Sequence, residues 1–131
     1  MPDSVAPIDL SIITVSWNVR ELLRNCLISV DSGRDQLVIE MIVVDSASSD
    51  GSPEMVRQDF PWVKLIASKE NLGFPRGNNQ GIEVANGRHI LLLNPDTIII
   101  GDALTIMVNY LDQHIDVGGL GPQLLNQDGS I

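Results

Sequence analysis

The 131-residue sequence has a single cysteine, Cys26, so no disulfide framework and no multi-thiolate metal site can form within it. Aromatic residues make up only 4%, and eight basic residues face seventeen acidic ones, for a net charge of −9. A surface this acidic repels polynucleotides and anionic lipid unless basic residues cluster. The Lys and Arg residues are scattered, so no nucleic-acid partner is expected. No run approaches the roughly 20 apolar residues that a bilayer span requires. The N-terminal MPDSVAP lacks the basic start and apolar run of a signal peptide. The expected compartment is the cytoplasm, with attachment at the inner face of the membrane left open for a longer chain. Three sequence signatures are also missing. Without GxxxxGK[ST], P-loop ATPase or GTPase chemistry is disfavoured. Without GxGxxG after the first strand, NAD binding is disfavoured, and without GxSxG, so is an esterase triad.

What is present is a globular composition, 44% apolar and 19% charged, at a length that suits one domain with its own core. Residues 1–7 read as a disordered tail and 8–131 as the folded part. Ile8–Ser16 is rich in β-branched residues and reads as a strand. Val19, Leu22, Leu23, Cys26, Leu27 and Val30 then recur at helical spacing, with Asn18 as N-cap and Gly33 as stop. Cys26 reads as a small core residue on that stripe. Leu37–Asp45 is a second strand. After the turn-rich SASSDG, Ser52 caps a short helix with Pro53 at its first position. Val63–Ala67 is a third strand, and Pro75 opens a helix running to Asn86. Gly77 and Gly81 make sense in that helix if it approaches a strand or ligand closely. His89–Leu93 is the apolar run of a strand covered on both faces, and Thr97–Ile100 a short extension. Leu104, Met107, Val108 and Leu111 mark a last helix. Val117–Leu125 begins another strand, and Asn126–Gly129 reads as a hairpin turn. Only Ser130 and Ile131 remain to return from that turn, so the sequence is expected to be part of a longer domain. Strands separated by helices imply an α/β fold, a three-layer α/β/α arrangement around a mostly parallel sheet.

Open parallel sheets bind ligands beyond the carboxyl ends of their strands. Ser16, Trp17 and Asn18 end the first strand, Asp45 and Ser46 the second, and Asn94, Pro95 and Asp96 the fourth. Asp45 and Asp96 therefore share one rim. Asp96, with the Asn94 amide oxygen two residues before it, suits Mg2+ or Mn2+, which take one or two carboxylates plus substrate phosphates. Asp45 suits a base that presents an N3–H, uracil or thymine, and repels cytosine. Plain structural readings stand beside these. Asp45 can cap the SASSDG loop, Asp50–Gly51 is turn chemistry, and Asp96 can merely start a turn; spacing alone does not separate the readings. Arg76 by itself reads as a solvated helix residue, though a glycine-rich helix start also places it to meet phosphate. Trp17 reads as packing, with a place beside a base as the other reading. His89 and His114 have no ligand partners at metal-binding spacing and receive no role.

The motifs IITVSWN, MIVVDSASSDGS and ENLGFPRGNNQGIEVANGRHILLLNPDT, in this order and spacing, resemble the family 2 glycosyltransferases of GT-A (Rossmann-like) fold, and the NPD form resembles their rhamnosyltransferase-like branch. The resemblance runs from about Ile8 to the C-terminus. It implies transfer of a sugar from a nucleotide diphosphate donor, UDP- or dTDP-linked, to a hydroxyl of a carbohydrate or lipid-linked acceptor, with inversion. It further implies nucleotide-binding roles for Val15, Ser16, Asn18, Asp45, Arg76, Asn78 and Asn94, with Asp96 as the metal and diphosphate ligand. Asn94 stands where the usual motif has its first aspartate, and Pro75 where a small residue is common. The family's general base lies in the second half, so it is expected beyond Ile131, with the acceptor half, and the chain alone is expected to transfer little sugar. Surface left bare by that missing half predicts self-association. Two other readings compete: a non-catalytic glycosyltransferase-like binding or assembly module, and a nucleotidyltransferase. The last should carry a glycine-rich basic loop after the first strand, where SWNVRELL stands.

Overall fold

Short β-branched runs separated by amphipathic segments fold as alternating strands and helices. The computed structural model describes residues 6–131; residues 1–5 of the expected tail lie outside the described residues. The elements are β1 (Leu10–Ser16), α1 (Arg20–Gly33), β2 (Ile39–Ser46), α2 (Ser52–Asp59), β3 (Lys64–Ser68), α3 (Gly73–Val84), β4 (His89–Leu92) and α4 (Ala103–Gln113). The four strands form one sheet in the order β3-β2-β1-β4, and all three pairings are parallel.

Period-two alternation assigns the two faces. Leu10 and Ile12 of β1 join Met41 and Val43 of β2 in a core with Leu23, Leu27 and Val30 of α1, Met55 and Val56 of α2, and Leu104 and Val108 of α4. Ile13, Ile42 and Val44 point the other way and pack with Leu72 and Ala85 at the two ends of α3. The sheet thus lies between α3 on one side and α1, α2 and α4 on the other, the expected three layers. Cys26 is in the core, whereas Leu22 is exposed, off the buried stripe. The glycines of α3 have the expected cause: a Cβ on Gly77 would lie 2.7 Å from Val15 Cγ1, and one on Gly81 would overlap Ile13 Cγ2.

Several expectations are corrected. β4 is covered on one face only: Leu91 packs against the core, whereas Ile90 and Leu92 on the other face are 46% and 47% exposed. Neither Thr97–Ile100 nor Val117–Leu125 is a strand. The first is bound to α1 as described below. The second holds Gly118, Gly119, Gly121 and Pro122, which weaken strand formation. The turn at Asn126–Gly129 forms, with Gly129 N–H donating to Asn126 O (2.9 Å), but no strands flank it. α3 begins two residues before Pro75, which sits in the first turn, where a missing N–H costs nothing.

A half-buried polar node anchors the amino end of the sheet to the exit of α3. Glu40 of β2 accepts from Ser11 Oγ (2.7 Å), Lys64 Nζ (3.1 Å), and Asn86 N and Nδ2 (2.8 and 3.2 Å). Gly87 N in turn donates to Ser11 Oγ (2.8 Å). Burial alone would push the Glu40 carboxyl up, but these donors outweigh it and hold the pKa at about 2, below the ordinary 4.5. Because the folded value is depressed, the stabilisation is full above the unfolded pKa and is lost as pH falls towards 2. Glu40→Gln should therefore cost about 1.5–3 kcal/mol at neutral pH and flatten the acid limb of stability between about pH 4.5 and 2. Urea unfolding of both proteins across that range is the check.

Candidate functional site

Since every described strand is parallel, the carboxyl ends of β1, β2 and β3 and the segment after β4 share one rim. Ser16 stands opposite Asp45, and Asp45 opposite Ala67. Leu93 N–H donates to Ile13 O (2.9 Å), continuing the β4–β1 ladder by one step before Asn94. Asp45 and Asp96 thus lie on the same rim with β1 between their strands, as expected.

The two candidate carboxylates differ in setting. Asp45 is 2% exposed. Its Oδ2 accepts from Ser48 N–H (2.9 Å), which is the turn-capping role. Its Oδ1 is buried without a hydrogen-bond partner among the described residues, and so are Ser16 Oγ and Thr14 Oγ1. In β1 these two residues alternate onto one face of the sheet, the face that carries Asp45 in the paired strand. One oxygen of Asp45 therefore serves the loop while the other is enclosed and unpaired. Asp96 and Asn94 are both exposed. Among the described residues no three His, Cys, Asp or Glu side chains converge as a metal cage. Exposed Asp96 and, two residues before it, Asn94 offer only two hard oxygen donors, which fits a cation shared with phosphate rather than one enclosed by protein.

The remaining candidates are distributed around the rim. Val15 is half-buried beneath Gly77, and Asn78 is buried in α3. Arg76 is exposed in the first turn of α3 and paired with Glu70 (3.1 Å). Trp17 is 54% exposed, which overturns the packing reading. Asn18 is not the N-cap of α1; Val19 is, with no side-chain cap. Asn18 holds φ 52 and is locked into the neighbouring loop, its N–H donating to Ser48 Oγ (2.9 Å) and its Oδ1 accepting from Ser49 N (2.8 Å). His89 lies at the amino end of β4 against Asp112 (2.8 Å), and His114 against Tyr110 O (2.8 Å). A cavity of about 370 Å³ also lies at that amino end, bounded by Leu10, His89 and Leu104, away from the rim.

The residue that organises the rim is one for which only turn chemistry was expected. Asp50 Oδ2 accepts from Arg20 N, the first amide of α1 (2.9 Å). Its Oδ1 accepts from Ser52 N (3.0 Å) and Ser52 Oγ (2.5 Å), at the start of α2. The cap expected of Ser52 is thus made by Asp50, while Gly51 occupies the N-cap position at φ 85. Burial pushes the Asp50 carboxyl up, but hydrogen bonds from Ser52 and Arg20 bring it below the usual range. The spacing of Asp50 to Ser52, an Asx turn, is the signal that was there to find. Asp50→Ala removes caps from two helices and should cost on the order of 2 kcal/mol, more than a typical single cap. Thermal unfolding against Glu54→Ala, an exposed control, measures it.

Comparison with known proteins follows this geometry. Residues 11–122 match the family model described as glycosyl transferase family 2. The chain is 29% identical over 114 residues to abequosyltransferase RfbV of Salmonella typhimurium, covering 82% of this chain and 34% of that protein. The crystal structure of S. aureus TarS 1-349 superposes with a TM-score of 0.72 at 22% identity, covering 89% of this chain and 39% of that one; TarS has also been solved with UDP and with UDP-GlcNAc. A mannosyltransferase from Pyrobaculum calidifontis, solved with GDP-Man and Mn2+, superposes at 0.70 with 26% identity, covering 85% of this chain and 36% of that one. The expected GT-A fold is therefore present, and the chain spans 34–39% of the length of these three relatives. No helix among the described residues is long and apolar enough to cross a membrane.

Proposed function

The chain belongs to glycosyl transferase family 2, and we propose that residues 8–131 are its nucleotide-sugar-binding part. Within a longer protein of the rhamnosyltransferase-like branch, this part would hold the UDP- or dTDP-linked donor for hexosyltransferase-like transfer to a hydroxyl of a carbohydrate or lipid-linked acceptor, with inversion, in the cytoplasm or at the inner face of the membrane. The observation that carries the reading is Asp45, buried, with one oxygen held by Ser48 N–H and the other without a partner beside Ser16 Oγ. That unpaired oxygen is enclosed in this conformation, and once the side chains over it move aside it accepts the N3–H of uracil or thymine, a charge-assisted bond worth on the order of 1.5–3 kcal/mol. Cytosine presents an acceptor at N3 and is rejected. Guanine also presents donors, so GDP is the competing nucleotide. Exposed Trp17 offers a ring face next to the base.

With the base at β2, the nucleotide crosses the end of β1 towards Asn94 and Asp96, about 10 Å of sheet at the usual strand spacing. The N-terminus of α3 faces this rim and favours negative charge. Arg76 reaches the diphosphate by leaving Glu70, and an exposed ion pair of this kind costs only about 0–1 kcal/mol to break. Asn78 and Val15 shape the wall between. Mg2+ or Mn2+, when bound, would neutralise charge on the leaving diphosphate, with Asp96 and the Asn94 amide as its protein ligands. The acceptor hydroxyl must lose its proton to a base, a role we assign to a group outside the matched third of the relatives. We therefore expect no robust sugar transfer by this chain alone, and sustained turnover would overturn that assignment. Self-association belongs to the same proposal, through the bare side of β4, and light scattering showing a monomer would count against it.

At a hundred times its Kd, UDP or dTDP with Mn2+ should stabilise the chain by about 2.7 kcal/mol, a rise of several degrees in melting temperature. Asp45→Ala and Asp96→Ala should abolish the rise. Asp45→Asn is the sharper variant. It can keep the bond from Ser48 N–H while turning an amide donor towards the base, so the preference for UDP over CDP should reverse. A preference left unchanged would remove Asp45 from the base site. No effect of any nucleotide at millimolar concentration would favour the non-catalytic module.

A further inference from the structure

The segment that carries Asn94 and Asp96 runs from the end of β4 to the start of α4 without regular secondary structure, yet it is held at both ends by one face of α1. At its start, Asn94 O accepts from Thr97 N (3.2 Å) and Thr97 Oγ1 (2.6 Å), and lies 3.9 Å from Cys26 Sγ. At its far end, Ile99 N–H donates to Ser29 Oγ (2.9 Å), and the Ser29 hydroxyl donates back to Cys26 O (2.7 Å). Ile99 also rests on Gly33, where a Cβ would come 2.9 Å from Ile99 Cγ2. Cys26, Ser29 and Gly33 are all buried and follow one another at three- and four-residue steps, so they form one stripe of the helix. Asp96 sits between the two anchored points. Burial pushes the Cys26 thiol up to about 11, so it stays neutral, and the Asp96 charge adds to the rise.

Resting on the donor-site reading above, we propose that Ser29 is a positioning residue for Asp96. By holding the Ile99 amide it fixes the height at which the Asp96 carboxylate meets a diphosphate-bound cation. The side chain touches neither cation nor nucleotide. It acts as outer-shell partners of metal ligands do, and loss of such partners typically weakens metal binding about 10–100-fold.

The test is a Mn2+ titration of the full 131-residue chain in saturating UDP followed by electron paramagnetic resonance, with UDP affinity in the absence of metal measured separately by titration calorimetry. Ser29→Ala should weaken Mn2+ binding about tenfold with UDP present and leave UDP affinity without metal unchanged, while the unpaired Ile99 N–H lowers the unfolding midpoint by a few degrees. Ser29→Thr keeps the hydroxyl and should restore Mn2+ affinity, which a purely structural role for the helix would not require. Gly33→Ala presses Ile99 from the other side and should also weaken Mn2+. If Asp96→Ala abolishes Mn2+ binding while Ser29→Ala leaves it intact, the positioning role is wrong and the donor site stands. If Asp96→Ala changes nothing, the donor-site reading falls and the role of Ser29 falls with it.

Discussion

The ladder between β1 and β2 runs in register from Leu10 opposite Ile39 to Ser16 opposite Asp45, and a slip of one residue would turn every side chain to the opposite face. Such a slip would set Ser11 opposite Ile39 or Met41 in place of Glu40, and would carry Asp45 away from Ser16. The register is enforced from both faces. On one, Ile12, Met41 and Val43 fill the core against α1 and α2. On the other, Gly81 admits Ile13, and Ser11 reaches Glu40. Burial of apolar side chains in the middle of the sheet thereby places two polar atoms without partners, Ser16 Oγ and Asp45 Oδ1, at its end.

Above that register the loops are fastened to each other rather than left open. The turn after β1 and the turn after β2 exchange bonds through Asn18, Ser48, Ser49 and Asp50. Asn18 and Ala47 take positive φ, 52 and 63, a conformation that non-glycine residues adopt at a cost of about 1 kcal/mol or more. The bonds across the two turns offset that cost. The rim is therefore preorganised before any ligand arrives, which limits the ordering that binding would otherwise require.

The strands and helices were legible because their signals are periodic and local. β1, β2 and β3 fall within two residues of their expected bounds, and Asp45 and Asp96 come to one rim because parallel strands leave no alternative. What was not legible is non-local. The role of Asp50 depends on α1 beginning next to a loop thirty residues away in sequence. The apolar run at Thr97–Ile100 imitates a strand, yet its amide and side chain are taken up by Ser29 and Gly33 of α1. The apolar run of β4 suggested cover on both faces, but α3 packs on β1 and β2 and leaves Ile90 and Leu92 on one face of β4 exposed. Asp45 belonged to both readings at once, turn capping and ligand recognition, because a carboxylate has two oxygens.

The contact between α3 and β1 has a consequence for how the sequence can vary. Gly77 sits on Val15 and Gly81 on Ile13 with no room for a methyl group, so helix and strand fit like a key in a milled slot. A descendant carrying alanine at 81 would be viable where position 13 had first lost its branched γ-carbons, as in Ile13→Ala, because the overlap is with Ile13 Cγ2. Substitutions at these paired sites should therefore arrive in a fixed historical order, the strand shrinking before the helix grows. The reverse order would lift α3 and carry Arg76 away from the rim it overlooks.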